Sequence, residues 1–130
     1  MYSLTTNNIK ISVESFYLDE ESEPDENLYI WGYHVKIENN GNKSIKLCRR
    51  HWEITDSLGR SQTVDGTGVV GETPIIPPGK SYEYTSGTPL VTPSGIMMGD
   101  YSMSTLEGAK FKVKVPAFSL DSPYEQKRYH

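Results

Sequence analysis

The chain has 130 residues, of which 35% are hydrophobic and 23% are charged, and its formal net charge is −4 at pH 7. This composition excludes a disordered chain, and no stretch approaches the roughly 20 apolar residues that span a bilayer. The negative charge argues against nucleic acid as the main partner, because neutralising phosphates requires a surplus of lysine and arginine.

Alternating hydrophobic and polar residues predict strands in the first third of the chain. The pattern covers residues 9–15 and, most clearly, residues 29–38. Between them, residues 19–26 carry six carboxylates in eight positions, which we interpret as a solvated acidic loop. Residues 39–42 read Asn-Asn-Gly-Asn, and these residue types tolerate the backbone angles of a tight turn.

Short strands and turns continue to the end of the chain. The predicted strands cover residues 45–48, 52–55, 60–64, 81–85, the surroundings of Tyr101 and Met103, and 111–115. Turn residues separate them, and no segment has a helix cap followed by a helical apolar stripe. Lys43, Lys46, Arg49 and Arg50 form a basic cluster, which we interpret as a strand edge protected by charge.

These elements predict an all-β fold, an immunoglobulin-like or fibronectin type III-like sandwich of about seven to eight antiparallel strands. We expect one domain with its core at about residues 6–123 and a frayed tail at 124–130. The single cysteine, Cys48, cannot form an internal disulfide. The first ten residues lack the apolar core of a signal peptide, so we expect a cytoplasmic protein.

A glycine-rich loop is the one motif that resembles a ligand site. Residues 66–71 match G-x-G-x-x-G, but Pro74 and the segment after it exclude the helix that a dinucleotide fold needs there. Two interpretations stay open: glycines that only permit a tight loop, or an anion site built from Gly66, Thr67, Gly68 and Gly71. Neighbouring Arg50, His51 and Trp52 would complete a recognition surface.

Catalytic and metal-binding signals are weak. The histidines at 34, 51 and 130 do not lie at metal-ligand spacing from one another or from Cys48, so we predict no metal site, no cofactor and no catalytic residue. A rival hypothesis is a metal-dependent hydrolase acting on a pyrophosphate bond. Asp65 and Glu72 flank the loop and would be its metal-binding carboxylates.

Several motifs in order resemble the ApaG family. They are Arg50-His51-Trp52 with Ile54 and Asp56, Gly66-x-Gly68-Val69-Val70-Gly71, Pro78-Gly79 with Tyr82 and Tyr84, Thr92-Pro93-x-Gly95-x-Met97, and Val115-Pro116-x-Phe118. The resemblance runs from about residue 6 to 123. It implies a fibronectin type III-like sandwich and a bacterial cytoplasmic protein, a module that recurs at the C-terminus of certain eukaryotic F-box proteins.

The resemblance also implies an association with Co²⁺ and Mg²⁺ tolerance and a pyrophosphate-binding role for Gly66, Gly68 and Gly71. We therefore predict a non-catalytic interaction module. Its target would be a protein or a phosphorylated small molecule, bound through the glycine loop, without nucleic acid or membrane. Exposed sheet edges would also permit homo-oligomers.

Overall fold

A computed structural model describes residues 1–123, so the predicted frayed tail at 124–130 lies outside the described residues. Nine strands are present: β1 (Tyr2–Thr6), β2 (Ile9–Tyr17), β3 (Tyr29–Asn39), β4 (Ile45–Asp56), β5 (Ser61–Thr67), β6 (Ile75–Ile76), β7 (Ser81–Leu90), β8 (Ser94–Thr105) and β9 (Lys110–Asp121). The acidic segment forms two 3₁₀ turns, Asp19–Glu21 and Pro24–Glu26. No helix in residues 1–123 is long and apolar enough to cross a membrane.

The strands form two antiparallel sheets that pack face to face. Sheet I has the order β1-β2-β3-β7, and sheet II has the order β5-β4-β8-β9, with β6 also paired to β4. The predicted all-β sandwich is confirmed. The described residues form nine strands, where about seven to eight were predicted. β1 and the short β6 were not predicted, and the two strands predicted at 45–48 and 52–55 are one continuous strand, β4.

Aromatic side chains fill the centre of the sandwich. The indole of Trp52 lies 5.4 Å from the ring of Tyr33, 6.1 Å from Tyr101 and 6.2 Å from Phe118, measured between ring centroids. The interplanar angles are steep, as expected for edge-to-face packing. Trp52 thus connects both sheets, since Tyr33 lies on β3 and the other partners lie on β8 and β9.

One extra residue in β4 changes which side chains face the core. Leu47 pairs with Met103 and Arg49 pairs with Ser102, so Cys48 has no partner on β8 and forms a β-bulge. Before the bulge, odd-numbered Leu47 is buried; after it, even-numbered Trp52 is buried. Because side chains alternate along a strand, the bulge moves the buried phase by one residue.

A second bulge, in β9, also moves the buried positions by one residue. Met97 pairs with Phe118 and Gly99 pairs with Val115, which leaves one unmatched residue in β9. The buried residues are odd-numbered up to Val115 and even-numbered from Phe118 onward. The bulge therefore aims Phe118 at Trp52 instead of at solvent.

A buried amide joins the two sheets at the end of β3. Asn39 is 1% exposed, and its Nδ2 donates to the carbonyl oxygens of Lys43 and Ile76, each at 2.8 Å. Its Oδ1 accepts a hydrogen bond from the Gly41 amide at 3.0 Å. Asn39 belongs to sheet I and Ile76 to sheet II, so this side chain links the end of β3 to a backbone carbonyl of the other sheet.

Replacing Asn39 with aspartate is expected to destabilise the protein by about 3 kcal/mol, because two buried carbonyls lose their donor and face a carboxylate. Asn42→Asp is the matched control, since Asn42 is exposed. Urea unfolding at neutral pH measures both variants. Equal unfolding free energies would contradict the role assigned to Asn39.

Candidate functional site

The glycine loop ends in a tight two-residue turn. The Val69 amide donates to the Glu72 carbonyl at 2.8 Å, and the Glu72 amide donates back to the Val69 carbonyl at 2.9 Å. The two residues between them, Val70 and Gly71, have φ angles of 48° and 79°. Positive φ at both central positions is the signature of a type I′ turn, which explains the glycine at 71.

The other two glycines of the motif permit close approach of neighbouring groups. A Cβ atom at Gly68 would collide with the carbonyl oxygen of Glu72 across the turn, and its φ of 62° disfavours any side chain. A Cβ atom at Gly66 would lie 2.6 Å from the guanidinium of Arg50. Local packing therefore requires glycine at position 68, whereas at position 66 the neighbouring group is the end of a flexible side chain that can shift.

Three amides of the loop, those of Gly68, Val69 and Glu72, are already hydrogen-bonded within the protein. Besides the two amides in the turn, the Gly68 amide donates to the Cys48 carbonyl at 2.8 Å. The predicted row of inward-facing amides thus does not form across the whole loop. Among the described residues, only the amides of Val70 and Gly71 in this turn have no backbone acceptor.

Arg50 faces the space between the sheets. It follows the Cys48 bulge and pairs across the sheet with Tyr101, a fully buried residue. Its Nη1 donates to the carbonyl oxygens of Thr67 at 3.2 Å and Gly68 at 3.0 Å. The side chain therefore clamps the loop against β4, and the three N–H groups on Nε and Nη2 have no acceptor among residues 1–123.

A cavity of about 160 Å³ lies beside Arg50. We call it the loop cleft; it is lined by Tyr33, Arg50, Val69, Val70, Gly71, Tyr84 and Ser86. The hydroxyls of Tyr84 and Tyr101 are hydrogen-bonded to each other at the inner side of this region. One cation, several hydroxyls and two unbonded amides thus converge on a small space.

The phenols near Arg50 remain neutral at physiological pH. Burial raises the pKa of Tyr33, although its hydrogen bond to Ser86 and the charge of Arg50 act in the opposite direction. Burial also raises the pKa of Tyr84 and Tyr101 above the ordinary value of 10.0. Neutral hydroxyls donate hydrogen bonds, and together with Arg50 they make an environment that suits an anion.

The three residues predicted as a recognition surface do not share one surface. Arg50 lines the loop cleft, Trp52 is 2% exposed in the core, and His51 points to the outer face of sheet II. Alternation along β4 separates His51 from its two neighbours. A ligand in the loop cleft can therefore contact Arg50 but not the indole of Trp52.

His51 and Asp65 form a hydrogen-bonded pair on that outer face. Nδ1 of His51 lies 2.7 Å from Oδ1 of Asp65, and the two residues are cross-strand partners. The hydrogen bond to Asp65 raises the pKa of His51 above its ordinary value of 6.5, with smaller contributions from the charges of Asp65, Asp100 and Glu53.

The two carboxylates that flank the loop are engaged with different strands. Asp65 bonds His51 of β4, whereas Oε2 of Glu72 accepts a hydrogen bond from the Tyr82 hydroxyl of β7 at 2.9 Å. No group of three or more His, Cys, Asp or Glu residues that could hold a metal ion occurs in the described chain. Arg60 pairs with Asp56 at 2.9 Å.

The interpretation of the basic cluster as a strand edge is wrong. β4 pairs with β5 on one side and β8 on the other, so it lies inside sheet II. Lys43 pairs with Glu107 at 3.2 Å, and Arg50 lines the loop cleft. Only Lys46 and Arg49 remain on the outer face of the sheet.

Sequence reasoning missed Tyr33, Tyr84 and Ser86 as cleft residues. They lie on β3 and β7, far along the chain from the loop, and local patterns cannot place them beside it. The inward direction of Arg50 was readable, however. The apolar phase is odd at Leu47 and even at Trp52, and such a change within one strand signals a bulge.

Comparisons with known proteins agree on one family. The family model for the ApaG domain matches residues 19–105. Protein ApaG of Paramagnetospirillum magneticum is 56% identical over 128 residues, which are 98% of each chain. Protein ApaG of Parvibaculum lavamentivorans is 55% identical over 130 residues, 100% of each chain. The crystal structure of a Bordetella pertussis protein named ApaA has 42% identity and a TM-score of 0.85, covering 88% of this chain and 94% of that chain.

Gly68→Ala is expected to destabilise the protein by about 2 kcal/mol or more, because the new methyl group meets the Glu72 carbonyl at an unfavourable φ. Gly41→Ala is the control, since a Cβ atom there would come no closer than 3.4 Å to its neighbours. We expect the control to change stability by no more than about 0.5 kcal/mol. Thermal unfolding of both variants measures the difference, and a Gly68→Ala variant as stable as Gly41→Ala would refute the close approach.

Asp65→Asn is expected to lower the pKa of His51, measured by NMR titration of its imidazole. Asp100→Asn should lower it less, because Asp100 acts only through space. The folded pKa lies above the ordinary value, so the pair stabilises the protein at low pH. That contribution is lost as pH rises through the folded pKa. Identical His51 titration curves in wild type and Asp65→Asn would contradict this pairing.

Proposed function

The chain belongs to the ApaG family, and we propose that it is a non-catalytic binding module whose loop cleft takes a phosphate or pyrophosphate group. The single observation that carries this proposal is the position of Arg50. A guanidinium lies between the two sheets with three N–H groups unused, and the cavity beside it measures about 160 Å³. A partly desolvated cation without a carboxylate partner favours an anionic ligand.

The other groups that line the loop cleft suit the same ligand. Val70 and Gly71, whose amides have no backbone acceptor among residues 1–123, line the cavity together with Tyr33 and Ser86 of sheet I, which carry hydroxyls. Phosphate oxygens accept hydrogen bonds from guanidinium, amide and hydroxyl donors. No carboxylate of residues 1–123 lines the cavity, so no described side chain there repels an anion.

The glycines act indirectly in this proposal. Gly66 leaves room for the guanidinium, Gly68 lets the loop cross the Glu72 carbonyl, and Gly71 completes the turn. Thr67 contributes its carbonyl oxygen to Arg50. The motif thus builds one wall of the loop cleft and holds Arg50 in place, and only the amides after Val69 would contact the ligand.

The hydrolase alternative has less geometric support. It needs two carboxylates on one metal ion beside the ligand, and Asp65 and Glu72 bond residues of different strands. We therefore favour binding without turnover, in a cytoplasmic module. The association with Co²⁺ and Mg²⁺ tolerance that the family resemblance implies would then be indirect, because a phosphate ligand could carry the divalent cation.

An amide-resolved NMR titration with pyrophosphate, with and without Mg²⁺, tests the proposal. We expect saturable shifts at Val70, Gly71 and the residues around Arg50. Arg50→Met should weaken binding at least about tenfold, because a charge-assisted hydrogen-bond donor is lost. Arg60→Met is the matched control, since it removes the same charge from an exposed arginine that pairs with Asp56 outside the loop cleft and should leave binding unchanged.

Because Arg50 also clamps the loop, Ser86→Ala provides a second variant that leaves the clamp intact. It should weaken binding by about fivefold, the effect of one neutral hydrogen bond. Absence of saturable shifts in the wild-type spectrum would refute the proposal. Release of phosphate from pyrophosphate that Asp65→Asn abolishes would favour the hydrolase instead.

A further inference from the structure

The outer face of sheet II carries a group of cations that the loop cleft does not use. Lys46 and Arg49 lie on β4, and Lys110, Lys112 and Lys114 lie at alternate positions of β9. We call these five residues the basic face. They come together only in the fold, because about sixty residues separate Arg49 from Lys110 and only β8 separates their strands.

Register places the basic face in ordered rows across β8. Ser104 pairs with both Lys46 and Lys110, and Ser102 pairs with both Arg49 and Lys112. Each of these two rows thus has two cations with a serine between them, whereas Lys114 pairs with Asp100 in the third row. Same-face residues of one strand are about 7 Å apart, and strands two positions apart are separated by about 10 Å.

None of these five cations forms an ion pair with another described residue, whereas Lys43 and Arg60 each pair with a carboxylate. Like charges at this spacing repel one another, and a chain with a net charge of −4 has carboxylates enough to pair them. A cleft of about 290 Å³ lies where the basic face meets the third row, and Arg49 and Lys112 line it together with Arg50, Asp65 and Asp100. Unpaired cations concentrated on one face favour an anionic partner.

We propose that the basic face docks an extended acidic segment of a partner protein. An extended peptide presents alternate side chains at about 7 Å, the spacing of Lys110, Lys112 and Lys114 along β9. The third row ends the positive surface, because Lys114 pairs there with Asp100, and Asp65 lies in the same row. Lys110 and Lys114 are about 14 Å apart, a length that matches a segment of a few acidic residues.

Nucleic acid fits this face less well than an acidic peptide does. The aromatic residues of β4, β8 and β9, namely Trp52, Tyr101, Phe111 and Phe118, belong to the core or pack against it, and β5 has none. The face thus offers no aromatic platform for stacking bases. A long phosphate backbone would also run over the carboxylates of Asp65 and Asp100.

Fluorescence anisotropy with a labelled peptide in which glutamate alternates with serine tests the proposal. We expect the full chain to bind this peptide and not its glutamine counterpart, more tightly at low than at high salt. The triple variant Lys110→Gln, Lys112→Gln, Lys114→Gln should weaken binding about tenfold. The control triple Lys10→Gln, Lys36→Gln, Lys80→Gln removes the same charge elsewhere and should change affinity less than about twofold.

Two further variants keep the experiment decisive. Lys110→Glu, Lys112→Glu, Lys114→Glu should bind a peptide in which lysine alternates with serine, which a misfolded protein would not do. Ser86→Ala should bind the glutamate peptide as wild type does, because Ser86 lines the loop cleft and not the cleft on the basic face. Failure of the pyrophosphate experiment therefore leaves this proposal standing.

Three results would overturn the proposal. Equal losses in the two glutamine triple variants would show attraction to overall charge and not to the basic face. Tighter binding of polyphosphate or single-stranded DNA than of the glutamate peptide would assign the face to another class of ligand. The third result is self-association of the wild type in sedimentation experiments that weakens with salt and is lost in the Lys110→Gln, Lys112→Gln, Lys114→Gln variant. It would assign the basic face to the acidic 3₁₀ turns of a second copy of the chain.

Discussion

The single extra residue in β4 is the constraint on which the rest of this structure depends. Without the bulge at Cys48, side chains would continue to alternate from Leu47 onward. Arg49 and His51 would then face the core, and Trp52 would face solvent. The bulge exchanges these positions. It gives the core its central indole, gives the space between the sheets one guanidinium, and leaves Arg49 and His51 on the outer face. Core and candidate sites thus follow from one backbone irregularity.

The glycine loop and Arg50 depend on one another. The guanidinium lies directly against Gly66, in space that a Cβ atom there would occupy, and it donates to the loop carbonyls of Thr67 and Gly68. The glycines therefore match a dinucleotide-binding fingerprint although they do not open a helix. In dinucleotide folds a helix N-terminus follows the glycines. Here a type I′ turn follows them, and an arginine supplies the positive charge.

The two adjacent arginines of β4 serve different sides of the sheet. Arg50 contributes to a small, partly desolvated cleft with neutral phenols, where one hydrogen-bonded anion can be held strongly. Arg49 contributes to an exposed face, where single ion pairs contribute little and several must act together. An overall charge of −4 describes neither environment, because charge acts locally over about a Debye length.

The sequence by itself determined the fold class, most strand positions and the turn chemistry. Alternating residues in β3, the Asn-Gly turn after it and the glycines of the loop act through neighbours in the chain, so their effects are readable locally. It also contained the signal of both bulges, as a change of apolar phase within β4 and within β9. Only the tertiary structure decided which groups surround each charged side chain. Tyr33 and Ser86 line the same cleft as Arg50, and Lys112 shares a row with Arg49 across Ser102. Both arrangements depend on the register between distant strands, which the sequence of one strand alone does not determine.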